Sequence, residues 1–159
     1  MDDEEVLMSV KEWMAIDPVV VGPDVEVRQA RKLLAQHGIR HLPVVDDGVL
    51  IGIVSDRDVK IDDRSLHRLE ALERIGEAVG EGKPVEAVMS GSVHTIGPDD
   101  SVGDAARLML SRRVSALPVV DDERALLGII TTTDCLLAAL TCNPDLEHPL
   151  LFTGSTDAE

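Results

Sequence analysis

Residues 22–58 read GPDVEVRQARKLLAQHGIRHLPVVDDGVLIGIVSDRD, and residues 97–134 read GPDDSVGDAARLMLSRRVSALPVVDDERALLGIITTTD. One pattern is written twice. Pro43 and Pro118 lie 75 positions apart, and an inserted Arg124 raises the offset to 76 in the last part of the second copy. A repeat fixes the unit of folding, and two copies are too few for a solenoid. We therefore expect two similar half-domains related by a pseudo-two-fold axis.

Each copy predicts the same order of elements, β-α-β-β-α, preceded by a short helix over 10–14 or 85–89. Brief β runs are expected at 19–21 and 94–96, and a long helix follows from apolar residues at three-to-four spacing. Two β-rich runs come next, and a second helix begins after Ser55 and after Thr131. The fold class is thus α/β (α+β). The predicted buried strand positions are Leu42, Val44, Ile53, Leu117, Val119 and Ile129.

The predicted organisation is a first repeat over 6–61, a connecting helix over 62–83, a second repeat over 84–140 and a partly disordered tail over 141–159. The connecting segment has one apolar helical face. This face either covers the core of the protein itself or binds a partner.

Composition excludes several classes of function. The net charge is −15, which argues against nucleic acid and against anionic membrane surfaces. Either a soluble surface or adaptation to high salt accounts for this acidity. No apolar stretch approaches the roughly 20 residues of a membrane span, and the acidic start MDDEEV is unlike a secretory signal. We therefore expect a cytoplasmic protein.

The sequence offers no pattern for catalysis or for a metal. Cys135 and Cys142 are the only cysteines, and they lack the neighbouring ligands of a zinc site. The five histidines are scattered, and neither a catalytic triad nor a phosphate-binding glycine loop is recognisable. We expect a protein that is not an enzyme.

Two features could bind a ligand. The apolar runs before Ser55 and Thr131 end in a hydroxyl residue, with Asp58 and Asp134 three positions later. A capping box explains this spacing for one occurrence. Its duplication favours a nucleotide site, in which a helix N-terminus meets an anion and a carboxylate meets a ribose diol.

Cations are grouped before the Leu-Pro-Val-Val strand of each copy, at Arg40 and His41 and at Arg112 and Arg113. They either complement the C-terminal end of a helix or neutralise a phosphate.

These residues carry a resemblance to the CBS domain, and the tandem pair resembles a Bateman module of the small stand-alone type. The matching pieces are MAIDPVVVGPD (14–24), IRHLPVVD (39–46) and GIVSDRD (52–58), with their counterparts in the second copy. The resemblance covers almost all of residues 10–140.

The resemblance implies two clefts between the repeats that bind adenosine compounds. It implies ribose-binding residues Ser55, Asp58, Thr131 and Asp134. It implies adenine-binding residues Val19, Val21, Val93, His94, Ser115 and Ala116. Phosphate-binding residues would be Arg40, His41, Arg57, Arg112 and Arg113. By family geometry, Asp58 faces Val93, His94 and Ser115, and Asp134 faces Val19, Arg40 and His41. Two positions depart from the family pattern: Asp17 replaces the usual Thr, and Val93 replaces a Pro.

The expected function is that of a regulatory sensor without an obligatory cofactor. AMP, ADP or ATP is the expected ligand, ahead of S-adenosylmethionine or NAD. The alternative is a structural CBS pair that mediates dimerisation or partner docking with empty clefts. A homodimer is expected, with Trp13 either at its interface or packed within its own module. A regulated partner protein is a further expectation.

Overall fold

The computed structural model describes residues 8–59 and 83–142. The elements are α1 (Val10–Trp13), β1 (Ala15–Ile16), α2 (Val27–His37), β2 (His41–Asp46), β3 (Val49–Ser55), a 3-10 helix (Val85–Ala87), α3 (Val102–Arg112), β4 (Ala116–Val120), β5 (Leu126–Thr131) and α4 (Thr132–Cys142). Residues 56–59 form a turn, and the rest of the helix predicted there lies outside the described residues. The predicted connecting helix, except residue 83, and the tail beyond residue 142 lie outside them as well.

The two hairpins confirm the repeat and the mixed α and β fold class. In β2–β3, Leu42 is opposite Val54. In β4–β5, the equivalent Leu117 is opposite Ile130. Both hairpins are antiparallel, and each has a bulge at the same place, after Val44 in the first and after Val119 in the second. Because the register and the irregularity agree, the two copies fold as equivalent units.

The predicted first β runs are wrong as strands. Each run forms only one parallel bridge: Val21 pairs with Val44 in the first repeat, and Ile96 pairs with Val119 in the second. A Gly-Pro turn follows directly, and a proline has no N–H with which to extend a ladder. The regular strand of this region is β1, two residues long, which lies upstream of the predicted run.

The leading segment of each repeat packs on the other repeat. Ala15 of β1 pairs with Ile129 of β5, and Ser90 forms a bridge with Ile53 of β3. The side chain of Val10 is fully buried in the core of the second repeat, beside Leu117, Val119 and Ile130. Val85, 75 positions later, is fully buried in the core of the first repeat, beside Leu42, Val44 and Val54. Each repeat therefore packs its leading segment on the core of the other repeat, and we call these two the exchanged segments.

Five of the six predicted core positions are confirmed, since Leu42, Val44, Leu117, Val119 and Ile129 are buried. The prediction for Ile53 is wrong, because its side chain is only half-buried. Alternate residues of β3 face opposite sides, and the buried ones are Leu50, Gly52 and Val54.

Trp13 is half-buried and packs against the core of the second repeat. This is the second of its two predicted placements. A contact between Trp13 and a partner subunit stays a prediction. In the described ranges, no helix combines the length and the apolar character that a membrane crossing demands.

Candidate functional site

The two hydroxyl–carboxylate pairs have the same geometry. In the first repeat, Asp58 Oδ2 accepts hydrogen bonds from the backbone N–H of Ser55 at 2.7 Å and from its hydroxyl at 2.9 Å. In the second repeat, Asp134 Oδ2 accepts from the N–H of Thr131 at 2.7 Å and from its hydroxyl at 2.8 Å. The backbone N–H groups of Asp58 and Asp134 donate in return at 3.4 and 3.5 Å. The capping-box interpretation therefore describes the local structure correctly.

Capping leaves half of each carboxylate available. Every hydrogen bond that either carboxylate accepts from its partner goes to Oδ2, and within the described residues no hydrogen bond to Oδ1 of Asp58 or of Asp134 is present. An ionised carboxylate can accept several hydrogen bonds. Capping and ligand binding by the same aspartate are thus compatible.

Asp58 lies on what we call the first cleft, a cavity of about 570 Å³ between the repeats. Its lining residues are Arg40, His41, Ile53, Ser55, Asp56, Arg57, Asp58, Ser90, Met109, Leu110, Arg113, Val114, Ser115 and Ala116. Both repeats contribute, so a ligand in this cleft would contact both.

Asp134 lies on the second cleft, a cavity of about 470 Å³. Its lining residues are Ala15, Ile16, Asp17, Pro18, Val19, His37, Gly38, Ile39, Arg40, His41, Ser115, Ile129, Thr131, Thr132, Thr133 and Asp134. The structure thus brings Asp134 into one cavity with Val19, Arg40 and His41.

Three residues line both clefts and form a shared wall: Arg40, His41 and Ser115. The hydroxyl oxygen of Ser115 lies 3.2 Å from Nε2 of His41, across the boundary between the repeats. Burial lowers the pKa of His41 below its ordinary value, and the nearby carboxylate of Asp56 partly opposes this shift. Sequence reasoning found no such Ser–His pair, because its members are 74 positions apart.

Four of the predicted ligand-contacting residues do not line either cleft: Val21, Val93, His94 and Arg112. Val21 is buried in the core of the first repeat. Arg112 is exposed in the last turn of α3, where a cation complements the helix dipole. The helix-end interpretation therefore fits Arg112, whereas Arg113 lies on the first cleft.

Among the apolar lining residues that sequence reasoning missed are the equivalent residues Ile53 and Ile129. Each precedes its hydroxyl residue by two positions on a strand, so both side chains of a pair share one face. The period of two, counted back from Ser55 and Thr131, could have found them.

The described residues contain no group of three or more His, Cys, Asp or Glu side chains that could hold a metal ion. Cys135 is half-buried, and burial raises the pKa of its thiol above the usual value. Thiolate chemistry is correspondingly disfavoured at this position.

The structure is that of a tandem-repeat protein, with two equivalent repeats and clefts between them. The sequence model of the CBS domain matches residues 10–61 and 85–141. The chain belongs to the CBS domain family and is a tandem CBS protein.

Several relatives and solved structures are similar over most of their length. The chain is 34% identical over 128 residues to the CBS domain-containing protein YhcV of Bacillus subtilis (strain 168), which covers 80% of this chain and 83% of that one. It is 33% identical to CBSX2 of Arabidopsis thaliana, which has been crystallised in complex with AMP. The two structures match with a TM-score of 0.68, and the match covers 84% of this chain and 97% of that chain.

The CBS domain pair of protein MJ0100, crystallised with 5′-methylthioadenosine and S-adenosyl-L-methionine, is 30% identical, with a TM-score of 0.66 and coverage of 85% and 96%. Other curated relatives are much longer, and the chain spans about a fifth of their length.

Proposed function

We propose that this protein is a regulatory module that binds adenosine compounds in the two clefts between its repeats. The main support is that each cleft carries a hydroxyl–carboxylate pair at an equivalent place, and that Oδ1 of the aspartate accepts no hydrogen bond from the described residues. Similar CBS pairs have been crystallised with AMP, with 5′-methylthioadenosine and with S-adenosyl-L-methionine.

The proposed roles follow the lining of the clefts. Oδ1 of Asp58 and of Asp134 accepts hydrogen bonds from a ribose diol, while Oδ2 keeps its hydrogen bonds with Ser55 or Thr131. Apolar residues beside each aspartate, Ile53 in the first cleft and Ile129 in the second, offer a surface on which an adenine can lie. The arginines provide charge-assisted hydrogen bonds to phosphate oxygens.

The action we propose is a shift in population. A ligand in either cleft contacts both repeats, so it favours the arrangement of the repeats that closes around it. We assign no catalysis. In the described part of the chain, no carboxylate forms a hydrogen bond with the other ring nitrogen of His41, as a hydrolytic triad requires.

We also infer a homodimer. Leu136 and Leu137 on α4 are 66% and 47% exposed, and adjacent exposed leucines often belong to an interface. A second copy that covers this surface would enlarge the apolar core of a small chain.

Isothermal titration calorimetry with AMP, adenosine and S-adenosylmethionine tests the binding function. The double variant Asp58→Ala/Asp134→Ala should weaken binding by about ten- to a hundredfold, as expected for loss of a hydrogen bond to a charged group. The control Asp99→Ala/Asp122→Ala removes the same charge from exposed positions outside both clefts. It should bind like the wild type.

Two results would contradict the proposal. Unchanged affinity in the Asp58→Ala/Asp134→Ala variant, together with a lower melting temperature, would leave these aspartates with a capping role only. If the wild type binds none of the three compounds, a structural role in dimerisation or docking explains the protein better.

A further inference from the structure

The two clefts are equivalent in the sequence repeat, yet their charges differ. We propose that they are sorted by ligand charge: the first cleft takes a phosphorylated adenosine compound, and the second takes an adenosine compound without negative charge at its 5′ position. This inference rests on the proposed function and specifies a ligand class for each cleft.

Arginines outnumber acids on the first cleft. Three arginines, Arg40, Arg57 and Arg113, stand against Asp56 and Asp58. With histidines counted as neutral, the lining residues that the structure describes have one net positive charge. In the described residues, neither Arg57 nor Arg113 has an acidic partner within 4.0 Å. Both guanidinium groups are therefore available to a phosphate.

Acids outnumber arginines on the second cleft. Among the described residues of its lining, Arg40 is the one arginine, and Asp17 and Asp134 oppose it, which gives one net negative charge. The guanidinium of Arg40 also lies 3.9 Å from the carboxylate of Asp56, a residue of the first cleft. The second cleft therefore shares its single arginine with the cleft that already has two more.

The asymmetry comes from three pairs of equivalent positions. Arg57 of the first cleft corresponds to Thr133 of the second at the offset of 76, and Arg113 corresponds to Gly38 at the offset of 75. Asp17 of the second cleft corresponds to Ser92. Each of these three differences makes the first cleft more positive or the second more negative. A fourth pair acts in the opposite direction, since Asp56 of the first cleft corresponds to Thr132 of the second, so the two linings differ by two charges in total.

Phosphate carries two negative charges near neutral pH, so the difference acts on AMP and not on adenosine. Charges a few ångströms apart in a solvated site change affinity several-fold each. We expect AMP to bind the first cleft at least about tenfold more tightly than the second. The second cleft should prefer adenosine to AMP.

Nuclear magnetic resonance of the full-length protein at pH 8 separates the two clefts, because the amide of Ser55 reports on the first and the amide of Thr131 on the second. In the wild type, AMP should shift the Ser55 amide at a concentration about tenfold lower than the Thr131 amide. Adenosine should shift the Thr131 amide at a lower concentration than AMP does.

Two variants that exchange charged residues between the clefts test whether the lining charge causes the sorting. Asp17→Asn/Thr133→Arg gives the second cleft the lining charge of the first, and it should tighten AMP there by about tenfold or more. Asparagine suits position 17, whose φ is +50°. Arg57→Thr/Arg113→Gly gives the first cleft the residues of the second, and it should weaken AMP there while adenosine is retained. Melting temperatures show whether each variant is folded.

The outcomes distinguish this inference from the function on which it rests. If AMP and adenosine bind both clefts with the same preference, or if AMP occupies the second cleft first, the sorting is wrong and the binding function stands. If the two charge-exchange variants fold but leave the ligand preference of each cleft unchanged, the arginines and Asp17 do not cause the sorting. If neither compound shifts either amide, both proposals fail.

Discussion

The imidazole of His41 and the hydroxyl of Ser115 lie 3.2 Å apart, although one belongs to the first repeat and the other to the second. Both residues line both clefts, so this contact lies in the wall that the clefts share. A ligand that moves either residue changes the lining of both cavities. The contact therefore links the geometry of the two candidate sites.

The state of His41 should make stability depend on pH. Burial lowers its pKa in the folded protein below the ordinary value of 6.5. Below that pH the unfolded chain takes up a proton that the folded chain does not, so the free energy of unfolding falls as the pH drops. Urea denaturation between pH 7.5 and 5.5 should show a smaller loss in His41→Gln than in the wild type. His37→Gln, at an exposed position, serves as the control. Equal losses in His41→Gln and the wild type would refute this assignment.

Gly128 should tolerate a side chain less well than its counterpart Gly52. A Cβ at position 128 would lie 2.6 Å from the backbone oxygen of Ala15, in the pairing of β1 with β5. A Cβ at position 52 would meet chiefly the flexible side chain of Met89. We expect Gly128→Ala to lower the free energy of unfolding by about 1–3 kcal/mol and Gly52→Ala by less. Chemical denaturation measures both, and the reverse order would contradict the close approach of β1.

The exchanged segments should stabilise the repeats on which they pack. Val10 and Val85 are both fully buried. Replacement of either by alanine removes buried methyl groups and should cost about 1.5–3 kcal/mol. Hydrogen exchange should accelerate in β4 and β5 for Val10→Ala, and in β2 and β3 for Val85→Ala. Val20→Ala, at a position that is 42% exposed, should stay within about 0.5 kcal/mol of the wild type. If hydrogen exchange instead accelerates in the repeat to which the mutated segment belongs in the sequence, the packing of that segment on the other repeat is refuted.

A charge on the exposed surface of α4 should disrupt the proposed homodimer. Leu136→Glu would place a carboxylate where a second copy buries an apolar side chain, at a cost of several-fold or more in dimer affinity. Light scattering should then give the monomer mass at a concentration where the wild type is dimeric. The matched change Val20→Glu, on another exposed apolar residue, should leave the mass unchanged. A wild type that is already monomeric at micromolar concentration would reject the dimer.

The sequence predicted the hairpins and most of the core, because these depend on local patterns. The constant offset identifies equivalent residues, and the period of two assigns Leu42 and Val44, or Leu117 and Val119, to one face of a strand. The prediction that Ile53 is buried was wrong. This residue follows the same apolar pattern, but its side chain lines the first cleft and is only half-buried.

The sequence also identified the aspartates and hydroxyl residues of both clefts, since a duplicated spacing of three residues is visible without coordinates. It placed only some of the residues that oppose them: Val19, Arg40 and His41 line the second cleft with Asp134, and Ser115 lines the first with Asp58. Val93 and His94 were expected opposite Asp58, yet neither lines the first cleft, whose lining includes the nearby Ser90 instead. Val93 and His94 lie in a segment without regular secondary structure, where no period predicts which side chains face a cleft.

By itself, then, the sequence determined the repeat, the hairpin faces and the paired motifs at Asp58 and Asp134, because each of these is a relation between residues at fixed spacing. Only the tertiary structure decided that Val10 packs in the second repeat and Val85 in the first, and that His41 meets Ser115. It also decided which charges surround each cleft. These are contacts between distant parts of the chain, and the physical reason is that the two repeats bury apolar surface against each other's leading segments. No local pattern of residues encodes that choice of partner.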